Sequence, residues 1–295
     1  MPPDTRSGLA ALARPSGAFA MVALDQRESL RTMLGGKAVA DEALTRFKVD
    51  AARALTPHAS AVLLDVAFGL EPVLEAGVLA GGCGLIVAAD ELVQPAGGIV
   101  EDTAVDDAVF DDPNVTARAD AYKLLVIWHP GRDRARRAAT VRAFLAACRE
   151  RGRPGIVEGI VRPHPGDHLT PARHADLVVE AAVELTEAGP DLYKAEVPSL
   201  GLADDQTITA AAARVTDAIA APWVVLSNGV RPERFDDAAI AAARGGASGF
   251  LAGRAIWIES IATNDPRGHL ERVAAPRLAG LAARIDGVAR PWSAV

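Results

Sequence analysis

The sequence predicts an α/β protein in which eight buried strands alternate with helices along the chain. Eight short apolar runs recur from end to end, and most gaps between them carry apolar residues at helical spacing. The chain has 295 residues, 50% of them hydrophobic, which suits one large globular domain. Because eight strand–helix units in a chain of this length are typical of a closed barrel, we predict a single (β/α)8 TIM barrel over residues 1–295.

The predicted strands are near-continuous hydrophobic runs, which is typical of parallel strands covered on both faces. An open doubly wound sheet is the alternative fold. Such a sheet often has a glycine-rich first turn, whereas the first turn here begins with Asp25 and Gln26. The predicted strands comprise residues 19–25, 60–65, 84–90, 122–128, 155–161, 192–197, 223–229 and 249–257.

The predicted helices carry start and stop signals. Thr170 and Pro171 open one of them as N-cap and first turn, and Gly189 ends it. Two segments lie outside this scheme: residues 1–13 are expected at the periphery, and residues 94–112 are expected to form a long acidic loop, either a lid or a solvated insertion. The predicted helices comprise residues 41–55, 132–151, 171–188, 204–220, 232–244, 258–261 and 268–288.

Composition excludes several classes of function. The net charge of −7 argues against a general nucleic-acid binder. The two cysteines, Cys83 and Cys148, have no CxxC partner and suggest a reducing cytoplasm. No signal peptide and no apolar run of membrane-spanning length is present, so we expect a cytoplasmic protein without a membrane partner.

Lysine is scarce in this chain and one lysine lies in an apolar strand. Of 31 basic residues only Lys37, Lys48, Lys123 and Lys194 are lysines. An amine can lose its proton and attack a carbonyl, whereas a guanidinium cannot. Lys194 therefore suggests Schiff-base chemistry; the alternative is a strand-end lysine that reaches solvent or pairs with Glu196.

Three charged residues interrupt otherwise apolar strands: Lys123, Glu158 and Lys194 on the fourth, fifth and sixth predicted strands. Functional residues of such barrels lie at the carboxyl ends of the strands. A second cation near Lys194 favours its uncharged, nucleophilic amine, and Glu158 is placed to carry protons. The alternative is a structural cluster that only fills the barrel.

The last two strands end in residues that suit an anion. Ser227, Asn228 and Gly229 follow the seventh strand, and Gly253 and Arg254 follow the eighth. Backbone N–H groups, a hydroxyl and a guanidinium can hold a phosphate there. The alternative is two glycine turns and a surface arginine.

A second positive group, Arg27, follows the first strand after Asp25 and Gln26. Two cationic sites around a reactive lysine suggest a small substrate with an anion at each end. His164 and His168 have a spacing that could bind metal on a helix, but Pro163 and Pro165 make the segment a loop, and we expect no metal site.

At these residues the sequence resembles a known enzyme family. The stretches GAFAMVALDQRESLRTML, VEGIVRP, DLYKAEVP, WVVLSNGV and GASGFLAGRAIW look like class I aldolases that include tagatose-1,6-bisphosphate aldolase, and look most like the sulfofructosephosphate aldolase branch. The likeness extends over nearly the whole chain. It departs at Gly159, where the family has proline, at Asn228, where that branch has serine, and at the exit of the fourth strand.

The resemblance implies roles for individual residues. Lys194 matches the family's Schiff-base lysine and Glu158 its acid/base residue. The remaining matches are active-site and anion-binding positions: Lys123, Asp25, Gln26, Arg27, Ser227, Gly229, Gly253 and Arg254.

The resemblance also implies a reaction. We expect a carbon–carbon lyase that needs no cofactor and cleaves 6-deoxy-6-sulfofructose 1-phosphate into dihydroxyacetone phosphate and 3-sulfolactaldehyde, a step of sulfoquinovose catabolism. The phosphate is expected at Gly229, Gly253 and Arg254, and the sulfonate nearer Gln26 and Arg27. Alternatives are a tagatose or fructose 1,6-bisphosphate aldolase and a non-catalytic sugar-phosphate sensor. Family members suggest a homo-oligomer.

Overall fold

A computed structural model shows a closed barrel of eight parallel strands, which confirms the predicted (β/α)8 fold. It describes residues 5–94, 99–164, 166 and 168–295. The strands are β1 (Phe19–Leu24), β2 (Ala61–Leu64), β3 (Gly84–Ala88), β4 (Asp90–Val93), β5 (Asp102–Val105), β6 (Ala121–Trp128), β7 (Gly155–Val161), β8 (Leu192–Glu196), β9 (Trp223–Leu226) and β10 (Gly249–Ala252). Around the barrel they follow the order β1-β10-β9-β8-β7-β6-β3-β2, and β4 and β5 form a separate antiparallel hairpin.

Helices surround the barrel at the predicted places. The Thr170 hydroxyl accepts a hydrogen bond from the Arg173 N–H, as an N-cap does. No helix in the described part of the chain is long and apolar enough to cross a membrane. The α-helices are α1 (Glu28–Leu34), α2 (Asp41–Leu55), α3 (Leu70–Glu75), α4 (Asp107–Asp111), α5 (Pro113–Arg118), α6 (Arg134–Glu150), α7 (Pro171–Thr186), α8 (Asp205–Ala218), α9 (Pro232–Arg244), α10 (Arg254–Ile261), α11 (Pro266–His269) and α12 (Ala275–Asp286), with one π-helical stretch (Leu270–Ala274) between α11 and α12 and short 3-10 helices at Arg6–Leu12, Thr56–His58, Pro198–Gly201 and Trp292–Ala294.

Alternation along each strand divides the core into two layers. On β1, Phe19 and Met21 belong to the cluster inside the barrel, whereas Ala20 and Val22 belong to the cluster between strands and helices. Both faces of a strand are thus apolar, which explains the continuous hydrophobic runs in the sequence. The interior cluster fills the amino-terminal part of the barrel and leaves its carboxyl end for polar side chains.

The amino-terminal segment corrects one expectation. Residues 1–13 were predicted to be peripheral, and residues 1–4 lie outside the described residues. Leu9 and Leu12, on the 3-10 helix Arg6–Leu12, are fully buried and belong to the same cluster as Phe19 and Met21. The segment therefore adds two leucines to the barrel interior.

The eighth barrel strand ends earlier than predicted. β10 ends at Ala252, and residues from Arg254 onward form α10. Ile256 and Trp257 are buried on that helix. Short apolar runs do not distinguish a buried strand from a buried helix, so the prediction over residues 249–257 merged the two.

The predicted loop over residues 94–112 is largely structured. Asp102–Val105 is the second strand of the hairpin, and α4 and the start of α5 follow it; residues 95–98 lie outside the described residues. Asp112 caps α5 by accepting from the Asn114 N–H. The acidic residues that suggested a solvated loop are in part such helix-start residues. Ile99 and Val100 of this segment, together with Leu92 of β4, line the cavity described next.

Candidate active site

A cavity opens at the carboxyl end of the barrel strands. Ten of the eleven predicted site residues line it; Gly229 is not among the described lining residues. Gly229 instead lies in the turn after β9 with a positive φ of 77°, a conformation that favours glycine. The ten are Asp25, Gln26, Arg27, Lys123, Glu158, Lys194, Ser227, Asn228, Gly253 and Arg254.

Lys194 and Glu158 form a buried pair at the centre of this cavity. They are register partners on β8 and β7, and Lys194 Nζ donates to Glu158 Oε2 at 2.8 Å. Lys123 Nζ lies 3.5 Å from the same oxygen. All three residues are at most 6% exposed. The predicted cluster of these three residues is therefore present in the structure.

The alternative partner for Lys194 is wrong. Glu196 Oε1 accepts from the Asn228 side-chain amide at 2.6 Å, and its Oε2 accepts from the Val161 N–H at 2.9 Å. His174, buried on α7, lies 3.5 Å from Oε2. Sequence patterns do not reveal this second carboxylate network, because its members come from four separate segments of the chain.

Lys123 is held by two carboxylates besides Glu158. Its Nζ lies 2.6 Å from Asp25 Oδ2 and 2.7 Å from Asp90 Oδ2. Burial alone would lower the pKa of Lys123, but these carboxylates outweigh it and the pKa is raised. Lys123 is therefore a permanent ammonium beside Lys194.

Asp25 is one of the anions that pair with the Lys123 ammonium. Burial alone would raise the pKa of Asp25, but the charges of Lys123, Lys194 and Arg27 outweigh it and the pKa is lowered. Asp25 remains ionised throughout the physiological range. Its other oxygen accepts from the Gln26 side-chain amide at 3.2 Å.

Asp90 is a central residue that the sequence did not select. Its Oδ1 accepts from Arg27 Nη2 at 2.8 Å, and its carbonyl accepts from Arg27 Nη1 at 2.7 Å. Its Oδ2 accepts hydrogen bonds from Lys123 Nζ and from the Leu125 N–H. The sequence signal that could have identified Asp90 is its position as an acidic residue directly after an apolar strand. Its partners depend on the register between β3 and β6.

The residues predicted to hold an anion lie around Arg254. Arg254 Nη2 donates to Asn228 Oδ1 at 2.6 Å. The Ala255 N–H points to Ser227 Oγ at 3.4 Å. A Cβ on Gly253 would lie 2.8 Å from both the Ala23 carbonyl oxygen and Gln26 Nε2. Glycine is therefore required where the eighth strand passes the first.

A second buried ion pair supports the strand that carries Asp25. Lys48 on α2 contacts Asp65 and donates to the Leu24 carbonyl at 2.8 Å. Burial lowers the pKa of Lys48, against the opposing charge of Asp65. Lysine scarcity could have identified this residue, since three of the four lysines are buried and Lys37 is exposed.

The described histidines and carboxylates do not gather into a metal site. Among the described residues, no group of three or more histidine, cysteine, aspartate and glutamate side chains is arranged to hold a metal ion. Residues 165 and 167, which lie beside His164 and His168, are outside the described residues.

The barrel and its buried lysines define the class of protein, and comparison with known proteins gives the family. The chain matches the DeoC/LacD family aldolases over residues 19–259 and belongs to that family. It is a class I aldolase, a carbon–carbon lyase, as the sequence resemblance implied.

Individual relatives agree with this family. Tagatose 1,6-diphosphate aldolase 1 of Enterococcus faecalis is 27% identical over 280 residues, covering 87% of this chain and 85% of its own. A fructose-bisphosphate aldolase from Plasmodium falciparum has a similar fold, with a TM-score of 0.74, 13% identity and coverage of 97% and 95% of the two chains. An archaeal fructose-1,6-bisphosphate aldolase, solved with its catalytic lysine bound to a carbinolamine intermediate, has a TM-score of 0.61, 15% identity and coverage of 96% and 100%.

Proposed function

We propose that this aldolase cleaves 6-deoxy-6-sulfofructose 1-phosphate into dihydroxyacetone phosphate and 3-sulfolactaldehyde through a Schiff base on Lys194. The observation that carries the proposal is the contact between Lys194 Nζ and Glu158 Oε2, buried at the carboxyl end of the barrel beside the Lys123 ammonium. A nucleophile, a proton carrier and a fixed cation are together there, and class I chemistry needs these groups.

The first step is imine formation. The uncharged amine of Lys194 attacks the C2 ketone, and the carbinolamine loses water to give an iminium. Lys123 Nζ lies 3.5 Å from the Glu158 oxygen that contacts Lys194, so a fixed positive charge lies beside the reacting amine. Glu158 Oε2, already within hydrogen-bond distance of Nζ, first takes the proton that frees the amine. After the attack a second nitrogen proton passes to the ketone oxygen to give the carbinolamine, and Glu158 then returns its proton to the hydroxyl, which leaves as water.

The second step breaks C3–C4. Glu158 accepts the proton of the C4 hydroxyl, the C4–O bond becomes a carbonyl, and the electrons of C3–C4 move into the iminium to give an enamine. The aldehyde leaves. Glu158 then returns its proton to C3, and water hydrolyses the iminium to free Lys194 and dihydroxyacetone phosphate.

The remaining site residues hold the two ends of the substrate. Ser227, Gly253 and Arg254 suit the phosphate, with the N–H of Gly229 in the adjoining turn. Arg254 is available for it, because its hydrogen-bond partner in the described structure is the neutral amide of Asn228. Gln26 and Arg27 also line the cavity, in the turn after β1 and beside Gly253.

A second candidate substrate has a phosphate in place of the sulfonate. Similarity to the tagatose 1,6-diphosphate aldolase of E. faecalis favours a ketohexose 1,6-bisphosphate. The chemistry at Lys194 is the same for both, and an arginine binds either anion.

Initial rates of dihydroxyacetone phosphate release test both parts of the proposal. The wild type is expected to show a higher kcat/KM for the sulfonate substrate than for fructose or tagatose 1,6-bisphosphate. Lys194→Arg should lose at least about a thousand-fold in kcat, whereas Lys37→Arg, at an exposed lysine, should keep wild-type rates.

The two parts fail separately. A preference for a bisphosphate would overturn the sulfonate assignment and leave the Schiff base standing. Full activity of Lys194→Arg, combined with turnover that a chelator abolishes, would overturn the Schiff base itself.

A further inference from the structure

Arg162 is a cavity residue to which no role has been given so far. It directly follows β7, the strand that carries Glu158. Glu158, Ile160 and Arg162 all line the cavity, as alternate residues on one face of a strand should. Arg162 therefore lies on the Glu158 wall of the cavity, nearer its mouth by about 13 Å of backbone at the usual strand rise.

The cations of the cavity differ in how far their charge is already matched. Lys194 forms an ion pair with Glu158, and Lys123 is surrounded by three carboxylates. Both terminal nitrogens of Arg27 donate hydrogen bonds to Asp90. In the part of the chain that the structure describes, the guanidinium of Arg162 makes a single hydrogen bond, from Nη1 to the carbonyl of its neighbour Val161 at 3.2 Å. Its Nε is buried without a hydrogen-bond partner among those residues.

Burial also makes the positive charge of Arg162 costly to maintain. Burial and the nearby charge of Arg254 lower the pKa of Arg162, and the charge of Glu196 only partly opposes them. Two guanidiniums that face a common cavity repel each other. Anions bound there would relieve both the missing hydrogen bonds and the repulsion.

We propose that Arg162 binds the anionic group at the aldehyde end of the substrate, the sulfonate of the preferred sugar or the 6-phosphate of a bisphosphate. The assignment rests on the proposed function, in which Glu158 takes the C4 proton. C5 and C6 extend beyond C4, and Arg162 is the cation that continues the Glu158 strand toward the mouth. A planar guanidinium suits either tetrahedral anion.

This proposal changes the role of Arg27. The sequence placed the sulfonate at Gln26 and Arg27, but both terminal nitrogens of Arg27 are held by Asp90. Arg27 would have to give up a charge-assisted hydrogen bond before it could bind the substrate. Arg27 thus serves to position Asp90, and Arg162 supplies the charge.

The test separates the two ends of the substrate. Arg162→Gln should lower kcat/KM for 6-deoxy-6-sulfofructose 1-phosphate by roughly ten- to a hundred-fold, the effect of losing one charged hydrogen-bond partner. Dihydroxyacetone phosphate lacks the aldehyde end. The concentration of it that gives half-maximal inactivation with borohydride should therefore stay within about two-fold of wild type, which also shows that the variant is folded.

A matched variant controls for the general charge at this end of the barrel. Arg134→Gln removes an exposed arginine at the start of α6 that is paired with Glu187 and lies outside the cavity lining. It should leave both measurements unchanged.

Two outcomes would overturn the assignment of Arg162. One is an equal loss for the sulfonate substrate and for dihydroxyacetone phosphate, which would place Arg162 at the phosphate or in the fold. The other is no loss for either compound. Failure of the proposed function is distinct, because dihydroxyacetone phosphate would then not inactivate even the wild type.

Discussion

Lys123 illustrates how single residues determine the chemistry of this site. Three carboxylates, those of Asp25, Asp90 and Glu158, lie within 3.5 Å of its ammonium. A buried charge is tolerated only when it is paired, and the three carboxylates pair the ammonium of Lys123 without any contact to a substrate. Its charge is therefore fixed, which supports the proposal that Lys194, and not Lys123, is the nucleophile.

Replacing Asp25 tests this charge pairing. Because the folded-state pKa of Asp25 is lowered, its ionised form contributes stability above the unfolded pKa of about 3.9, and that contribution is lost as the pH falls toward the folded value. Asp25→Asn should lower the free energy of unfolding by about 2 kcal/mol at pH 7, with a smaller difference at pH 3. Urea unfolding at the two pH values measures this; a difference that is larger at pH 3 would contradict it.

At the residue scale, the sequence identifies charges that interrupt apolar strands. Lys123, Glu158 and Lys194 were found in this way and lie together in the cavity. Asp90 and Arg162 were not selected, because each follows the end of an apolar run, where polar residues are common. Their partners are determined by neighbouring strands that no local pattern reveals.

At the element scale, the packing of β7 against β8 depends on Gly159, whose backbone lies against Tyr193. A Cβ on Gly159 would overlap the Tyr193 hydroxyl and lie 2.9 Å from Leu185 Cδ1 on α7. Gly159 was noted in the sequence as a departure from the family's proline. The structure gives a physical reason for it: the buried Tyr193 ring occupies the space beside this backbone.

This contact predicts a rescue between two substitutions. Gly159→Ala should lower the free energy of unfolding by about 1–3 kcal/mol through overpacking. Adding Tyr193→Phe removes the overlapping hydroxyl and should restore part of that loss, which a double-mutant cycle by urea unfolding would measure.

A matched glycine is available as the control for this cycle. Gly280 on α12 has no atom within 4 Å of an added Cβ, so Gly280→Ala should be neutral or stabilising. Strictly additive losses for Gly159→Ala and Tyr193→Phe would show that the two residues do not compete for space.

At the scale of the whole molecule, the barrel separates stability from chemistry. The amino-terminal part is filled by apolar side chains, including Leu9 and Leu12, and the carboxyl end carries the paired charges. The strand pattern predicted this division, because continuous apolar runs and polar strand ends are local features. The buried amino-terminal helix, the hairpin and the end of β10 were not predicted, since each is determined by contacts between residues far apart in the chain.

Borohydride trapping tests the central claim most directly. Incubation with dihydroxyacetone phosphate and borohydride should reduce the iminium, abolish activity and add the mass of the reduced adduct to the peptide that contains Lys194. Lys194→Arg should gain no adduct, and Lys37→Arg should gain it as the wild type does. An unmodified Lys194 in the inactivated enzyme, or an adduct on Lys123 instead, would contradict the assignment of Lys194 as the Schiff-base residue.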